Sequence, residues 1–331
     1  MAGRRQKKSG RRSYAWRYRG RIVVCVFVEV IIICALVIMI GWNKGVKEWF
    51  EQFEQPVLKE VDISGINSPN AILMQARGGK ILGEINGEAQ IYPASMTKIM
   101  TVILGIENFD DLDEKITLTD EMFAGLYEQD ATQAGFQPGE EVRVIDLLYG
   151  AMLPSGAECC IALADTISGS EADFAELMNK KARKLGMENT HFCDSTGLHN
   201  PDHYSTVKDI AVLMKYCIKN DTFREIVETS RHSTGVTNIH PDGITYYSTM
   251  FKNLSDPTVT GGKILGGKTG YTSEAGHCLV SFAEIEGREY IFVSAGASGA
   301  DGNTIPHIQD AVTVYNRVGA AIEAKMNNNN K

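Results

Sequence analysis

Acidic residues are nearly absent from the start of this chain. Residues 1–21, MAGRRQKKSGRRSYAWRYRGR, hold nine Lys/Arg and no Asp or Glu. Residues 22–42, IVVCVFVEVIIICALVIMIGW, carry one charge, Glu29. Nowhere else is there an apolar run long enough to span a bilayer, which takes about 20 residues. The run at 22–42 exceeds the roughly 7–15 apolar residues of a cleaved signal peptide and lacks a small-residue cleavage site at its end. An uncleaved anchor is therefore expected, with the basic head in the cytoplasm and everything after Trp42 outside. Regular cysteine spacing is also missing. Seven cysteines, an odd number, exclude a disulfide framework. Cys25 and Cys34 fall in the apolar run; Cys159, Cys160, Cys193, Cys217 and Cys278 follow it. Most are expected to be small buried apolar residues, and one bridge outside the membrane stays open. Internal repeats are lacking, which excludes solenoids.

What remains is ordinary globular composition: 331 residues, 44% hydrophobic and 22% charged. All but one of the 41 acidic residues follow Trp42. So acidic an outer part is a poor nucleic-acid binder, and the basic head is explained by membrane topology. Residues 43–60 read as a juxtamembrane stalk, 61–325 as one globular unit, and 326–331, ending in NNNNK, as a disordered tail. Segment 71–86 reads as a β-hairpin through Arg77-Gly78-Gly79-Lys80. Helical periodicity follows to about Asn108. KITLTDEM reads as a short strand with a cap at Thr119 or Asp120. A helix over EEVRVIDLLYGAMLPSG breaks at Pro154 and resumes at AECCIALADTIS. Further helices cover 171–186 and 205–220. Three strands follow in ILGGKTGYT, HCLVSFAEIEG and REYIFVSAGAS, then a helix over about 306–325. The pattern predicts an α+β fold in which an antiparallel sheet is built from both chain ends around an inserted helical block.

Three short motifs carry chemistry. In YPASMTKIMT (92–101), Ser95 and Lys98 share a helical face, and the flanking residues bury most of the circumference. An ammonium there is costly; either Lys98 reaches out to water or the site needs a neutral amine beside a hydroxyl. A neutral lysine could take the hydroxyl proton as general base. Pro154-Ser155-Gly156 breaks an apolar helix, where its serine either caps the next helix or points into a cleft. Gly266-Gly267-Lys268-Thr269-Gly270 sets glycines around a Lys-Thr pair on a strand, as close approach of another group to the backbone would require. It lacks the spacing of a phosphate loop.

The order Ser-x-x-Lys, Ser-x-x, Lys-Thr-Gly is that of penicillin-binding proteins and serine β-lactamases. The surrounding YPASMTKIMT, LLYGAMLPSGAE, NTHFCDSTGLHNPDHYSTVKDIAVLM and GGKTGYTSEAGHCLV resemble the low-molecular-mass D-alanyl-D-alanine carboxypeptidases over about residues 62–300. The resemblance implies a β-lactamase/DD-peptidase-like fold. It also implies an acyl-enzyme reaction on peptidoglycan stem peptides ending in D-Ala-D-Ala, with β-lactam antibiotics as covalent inhibitors and no cofactor or metal. Ser95 would be the nucleophile, Lys98 its base, and Ser155 a proton carrier to the departing D-Ala. Lys268 and Thr269 would hold the terminal carboxylate, with Gly270 completing the motif. The N–H groups of Ser95 and Tyr271 would form the oxyanion hole. A second cation, Lys268, would add to burial in lowering the Lys98 pKa.

One position departs from the family: Ala157 stands where the second motif usually ends in Asn. A subgroup could dispense with that amide, another group could replace it, or turnover could fall. Three rival readings follow. A serine β-lactamase would need a deacylating carboxylate, and no Glu-x-x-x-Asn occurs between 187 and 267. A catalytically impaired penicillin-binding or wall-sensing protein rests on Ala157. A zinc peptidase would rest on His199 and His203, but Pro201 between them argues for a loop.

Overall fold

The computed structural model describes residues 58–254, 256–299 and 305–329. The expected basic head, the apolar run and residues 43–57 of the stalk lie outside the described residues. Among the described residues, no helix is long and apolar enough to cross a membrane. Val57–Lys331 forms one compact unit. Residues 58–60, expected in the stalk, belong to that unit: Leu58 is buried and its carbonyl accepts a hydrogen bond from Lys80 Nζ.

The chain opens with the predicted hairpin, β1 (Asn70–Gln75) and β2 (Ile81–Ile85). A 3-10 turn, Ala94–Thr97, runs into α1 (Lys98–Asn108). β3 (Lys115–Thr117) precedes a second 3-10 turn capped by Thr119. Where a continuous helix was expected from Glu140, Glu141–Arg143 is instead strand β4, paired with β3 so that Ile116 and Val142 are both buried. Three helices follow: α2 (Val144–Met152), α3 (Ala157–Ser168) and α4 (Glu171–Leu185). The break between α2 and α3 falls at Pro154 as the proline requires. Helix α4 starts on the Ser170 side chain and ends at Gly186, whose φ of 78° suits only a residue tolerant of left-handed backbone. Next come α5 (Val207–Cys217), capped by Thr206, and α6 (Asp221–Glu228). A small hairpin, β5 (Arg231–Ser233) and β6 (Thr245–Tyr247), and the short α7 (Thr249–Asn253) follow. The chain closes with β7 (Thr258–Val259), β8 (Gly262–Thr272), β9 (Gly276–Ile285), β10 (Arg288–Ala297) and α8 (Pro306–Asn329). Helix α8 continues past Met326, where a disordered tail was expected, because extending a formed helix fixes one residue per added hydrogen bond.

The main sheet is antiparallel, in the order β2-β1-β10-β9-β8-β7. Both ends of the chain build it, as predicted. Strand alternation gives it two faces. Cys278, Val280 and Phe282 face the helical block with Met96, Ile99 and Met214. Leu279, Ala283 and Ile285 face α8 with Ile308, Val314 and Val318. β7 pairs with β8 only at Thr258–Val259. Among the described residues, β8 beyond Ile264 therefore has a strand neighbour on one side only, and this free edge meets the turn before α1.

Candidate active site

Ser95 sits on the 3-10 turn and Lys98 at its end. Three residues per turn place i and i+3 in line, and Lys98 Nζ donates to Ser95 Oγ over 2.9 Å. The lysine does not reach water: it is 3% exposed, and its other partner is the Thr196 carbonyl at 2.7 Å. Burial lowers its pKa, against the raising influence of Cys160, Asp194 and Glu158. Lys98 is thus buried beside the Ser95 hydroxyl, with its pKa below the usual lysine value.

The turn is held under strain. Ala94, just before the nucleophile, has φ 46°, a left-handed conformation that costs a non-glycine residue about 1–3 kcal/mol. Gly197 presses on it; a Cβ there would lie 1.9 Å from the Ala94 carbonyl oxygen. Gly197 is fixed in turn by Asp194, whose Oδ1 accepts from the N–H groups of Thr196 and Gly197. Asp194 Oδ2 lies 3.1 Å from His203 Nδ1, and His203 Nε2 lies 2.9 Å from Thr97 Oγ1. Burial would raise the Asp194 carboxyl, but His203, Thr196 and Gly197 outweigh it and hold it at about 2. His199, the other histidine of the metal reading, is turned elsewhere, edge-on to Tyr92 and 3.9 Å from Glu274.

The free edge of β8 closes against this turn. A Cβ at Gly270 would lie 3.0 Å from Ser95 N and 3.1 Å from Ala94 Cβ, so glycine lets the strand backbone reach the nucleophile. Lys268 is 1% exposed, and its Nζ donates to the Thr269 carbonyl at 3.0 Å. Burial and the charge of Lys98 push its pKa down. Burial is the largest influence on both lysines; the charge of Lys98 adds to it at Lys268, whereas the leading influences on Lys98 do not include Lys268, which was expected to lower it. Thr269 does line the cleft, and its hydroxyl pairs with that of Thr249 at 2.7 Å. Thr249, on α7, belongs to none of the three motifs.

Ser155 stands in the break between α2 and α3 with φ 73°. Its Oγ is buried and has no hydrogen-bond partner among the described residues. A strained backbone that presents an unpaired hydroxyl to a cleft is a mark of function rather than of packing. Ala157 is 1% exposed and does not line the cleft; its N–H donates to the Thr132 carbonyl. Next to it, Glu158 Oε1 accepts from the N–H groups of Ala134 and Gly135 at 2.6 and 2.9 Å, anchoring the loop that forms the opposite wall. That wall brings Gln129, Asp130 and Thr132 to the cleft, so its polar side chains come from a loop the motifs did not mark. Ser95, Ser155, Thr269, Gly270 and Tyr271 share one cleft of about 630 Å³. All five cysteines after Trp42 are free, and all but Cys193 are buried.

The family model for D-alanyl-D-alanine carboxypeptidase matches residues 57–299. D-alanyl-D-alanine carboxypeptidase DacF of Bacillus subtilis is 35% identical over 231 residues, which cover 69% of this chain and 57% of that protein. A D-alanyl-D-alanine carboxypeptidase of Streptomyces sp. (strain K15) is 35% identical over 236 residues, 69% of this chain and 78% of that one. The crystal structure of the Streptomyces K15 DD-transpeptidase superposes with a TM-score of 0.69 at 29% identity, covering 79% of this chain and all of that one. The chain spans less than two thirds of the length of DacF and, at 58%, of Escherichia coli DacC.

Proposed function

The chain belongs to the D-alanyl-D-alanine carboxypeptidase family, and from that premise we propose that it is a membrane-anchored serine carboxypeptidase. It would remove the terminal D-Ala from peptidoglycan stem peptides outside the cell. The observation that carries the reading is the 2.9 Å contact of a buried Lys98 amine with the Ser95 hydroxyl.

The reaction follows from the geometry. Neutral Lys98 takes the Ser95 proton as Oγ attacks the carbonyl of the penultimate D-Ala. The oxyanion forms where the free β8 edge meets the first turn of the nucleophile segment. There the N–H groups of Ser95 and Tyr271 receive it, a contribution of about 3–4 kcal/mol in comparable sites. The lysine proton passes through Ser155 Oγ to the departing amine, and D-Ala leaves. Water, deprotonated by Lys98, then attacks the ester and frees Ser95 and the shortened peptide. A β-lactam would acylate the same serine, but its amine stays tethered and blocks the water.

Anchoring through residues 22–42, with the head inside and the catalytic unit outside, is supported by the apolar run and the nine cationic residues before it. The test is D-Ala release from an acylated D-Ala-D-Ala peptide by the full chain in detergent. Release that disappears in Ser95→Ala is expected; a wild type that releases none would overturn the reading. For topology, protease added outside intact cells should degrade the part after Trp42, and full protection would reverse the orientation.

A further inference from the structure

Glu158 takes no direct part in the acylation chemistry, yet it sits at the second motif. It lies in the first turn of α3, directly after Ala157, and is wholly buried, at 0% exposed. Its Oε1 accepts from the N–H groups of Ala134 and Gly135, and its Oε2 has no hydrogen-bond partner among the described residues. Burial raises its pKa, opposed by the N–H groups of Gly135, Ala134 and Phe136. A carboxyl kept out of water with one oxygen unpaired is costly, and an apolar side chain of similar volume would be at least as stabilising. Packing alone therefore does not account for this acid.

The surroundings of Glu158 show what it holds. Two backbone hydrogen bonds tie down the motif, from Gly156 N–H to the Gly150 carbonyl and from Ala157 N–H to the Thr132 carbonyl, both at 2.8 Å. The Glu158 carboxylate adds a third tie, to Ala134 and Gly135. Successive N–H groups that converge on one oxygen form a small anion-binding nest, and Gly135, with φ 110°, adopts its conformation without the penalty a Cβ would bring. The clamped residues press directly on the motif. A Cβ at Gly156 would lie 2.7 Å from Ala134 Cβ, 2.9 Å from Ala134 N and 3.0 Å from Glu158 Oε2. Ser155 stands one residue earlier with φ 73°. A strained residue persists only where its surroundings over-determine it. At this break those surroundings are the two backbone bonds, the Ala134 contact and the Glu158 clamp.

We propose that Glu158 is a positioning residue for the reaction: by clamping Ala134 and Gly135 onto Gly156 it holds Ser155 in its strained conformation, so the motif keeps its proton carrier in place without an amide at position 157. The inference rests on the serine carboxypeptidase reading and extends the second motif by one residue. Glu158 has no exposed surface, so its effect on the reaction passes through Ser155.

The test uses the full chain in detergent, with D-Ala release from an acylated D-Ala-D-Ala peptide and backbone hydrogen exchange as readouts. Glu158→Ala should lower kcat for release roughly hundredfold, the scale of an ångström-sized misplacement. Glu158→Gln keeps an oxygen for the Ala134 and Gly135 N–H groups and should restore most of the rate. In a Ser155→Ala background, Glu158→Ala should cost no more than about twofold further, because residues that act as a unit are not additive. General damage to the fold would cost the same factor in both backgrounds. Exchange in Glu158→Ala should quicken at residues 129–136 and stay unchanged in α4, and Glu158→Gln should keep wild-type protection at both. Equal losses with and without the Ser155 hydroxyl, or no loss at all, in a chain whose wild type releases D-Ala overturn the clamp and leave the function standing. Unchanged exchange at 129–136 overturns the clamp whatever the rate. A wild type that releases no D-Ala, with exchange quickened at 129–136 in Glu158→Ala, overturns the function and leaves the clamp.

Discussion

Two sets of polar groups at the cleft are built in opposite ways. At the nucleophile end nearly every polar group is already spoken for. Lys98 holds Ser95 and the Thr196 carbonyl, Asp194 holds Thr196 and Gly197, and His203 bridges Asp194 and Thr97. Elsewhere among the residues lining the cleft groups wait: Ser155 Oγ and His307 Nδ1 have no partner among the described residues. The saturated end fixes the position and protonation of the reacting atoms before substrate arrives. The unsaturated end gains its hydrogen bonds only when substrate is present, so it contributes to binding and little to folding.

That contrast can be broken or sharpened by mutation. The largest effect should come from the saturated end. Lys98→Ala should slow acylation of Ser95 by penicillin roughly a thousandfold or more, read by mass spectrometry of the intact protein, because the hydroxyl loses its base. Ser95→Ala should abolish the adduct, and an adduct that persists would refute the nucleophile. In the wild type the acylation rate should climb as pH rises through the lowered Lys98 pKa, since only the neutral amine accepts a proton. Next is Ser155→Ala, which should cost turnover roughly a hundredfold while leaving thermal stability unchanged, because its hydroxyl bonds to nothing. A melting point that drops with it would contradict the waiting role.

Asp194→Asn should show the reverse pattern in stability. A carboxyl held at about 2 in the folded state contributes about 2 kcal/mol, present above the unfolded value near 4 and lost as pH falls through 2. Chemical denaturation at neutral pH and at pH 2 should show wild type and variant converging at the lower pH. The smallest effect is expected from Ala157→Asn. The site is 1% exposed, so the larger side chain should lower stability by about 1 kcal/mol without raising D-Ala release. Faster release would mean that position 157 does reach substrate.

Much of this was legible in the sequence because the information is local. Strand alternation, the Pro154 break, the Gly186 stop and the three motifs each occupy a few adjacent residues. Ser95 and Lys98 are three apart, so their contact follows from helical geometry. What was illegible depends on distant segments meeting. Thr249 matters because α7 lies beside β8; His307 matters because α8 starts beside β9. β4 was read as helix because its three residues continue an apolar period, and pairing with β3 overrode it.

The sheet also sets when activity can begin. Asn70 pairs with Ala295, 225 positions later, so beyond its hairpin partner β2 the other edge of β1 stays open until β10 is made. Contacts of such separation form slowly, and a growing chain leaves the β1 edge and the apolar faces of the helical block uncovered. Gly270 cannot close on Ser95 before β8 and β9 have joined. A chain halted anywhere before β10 holds Ser95 and Lys98 but no finished sheet to set them against, so the residues of the first motif are made long before the strands that position them.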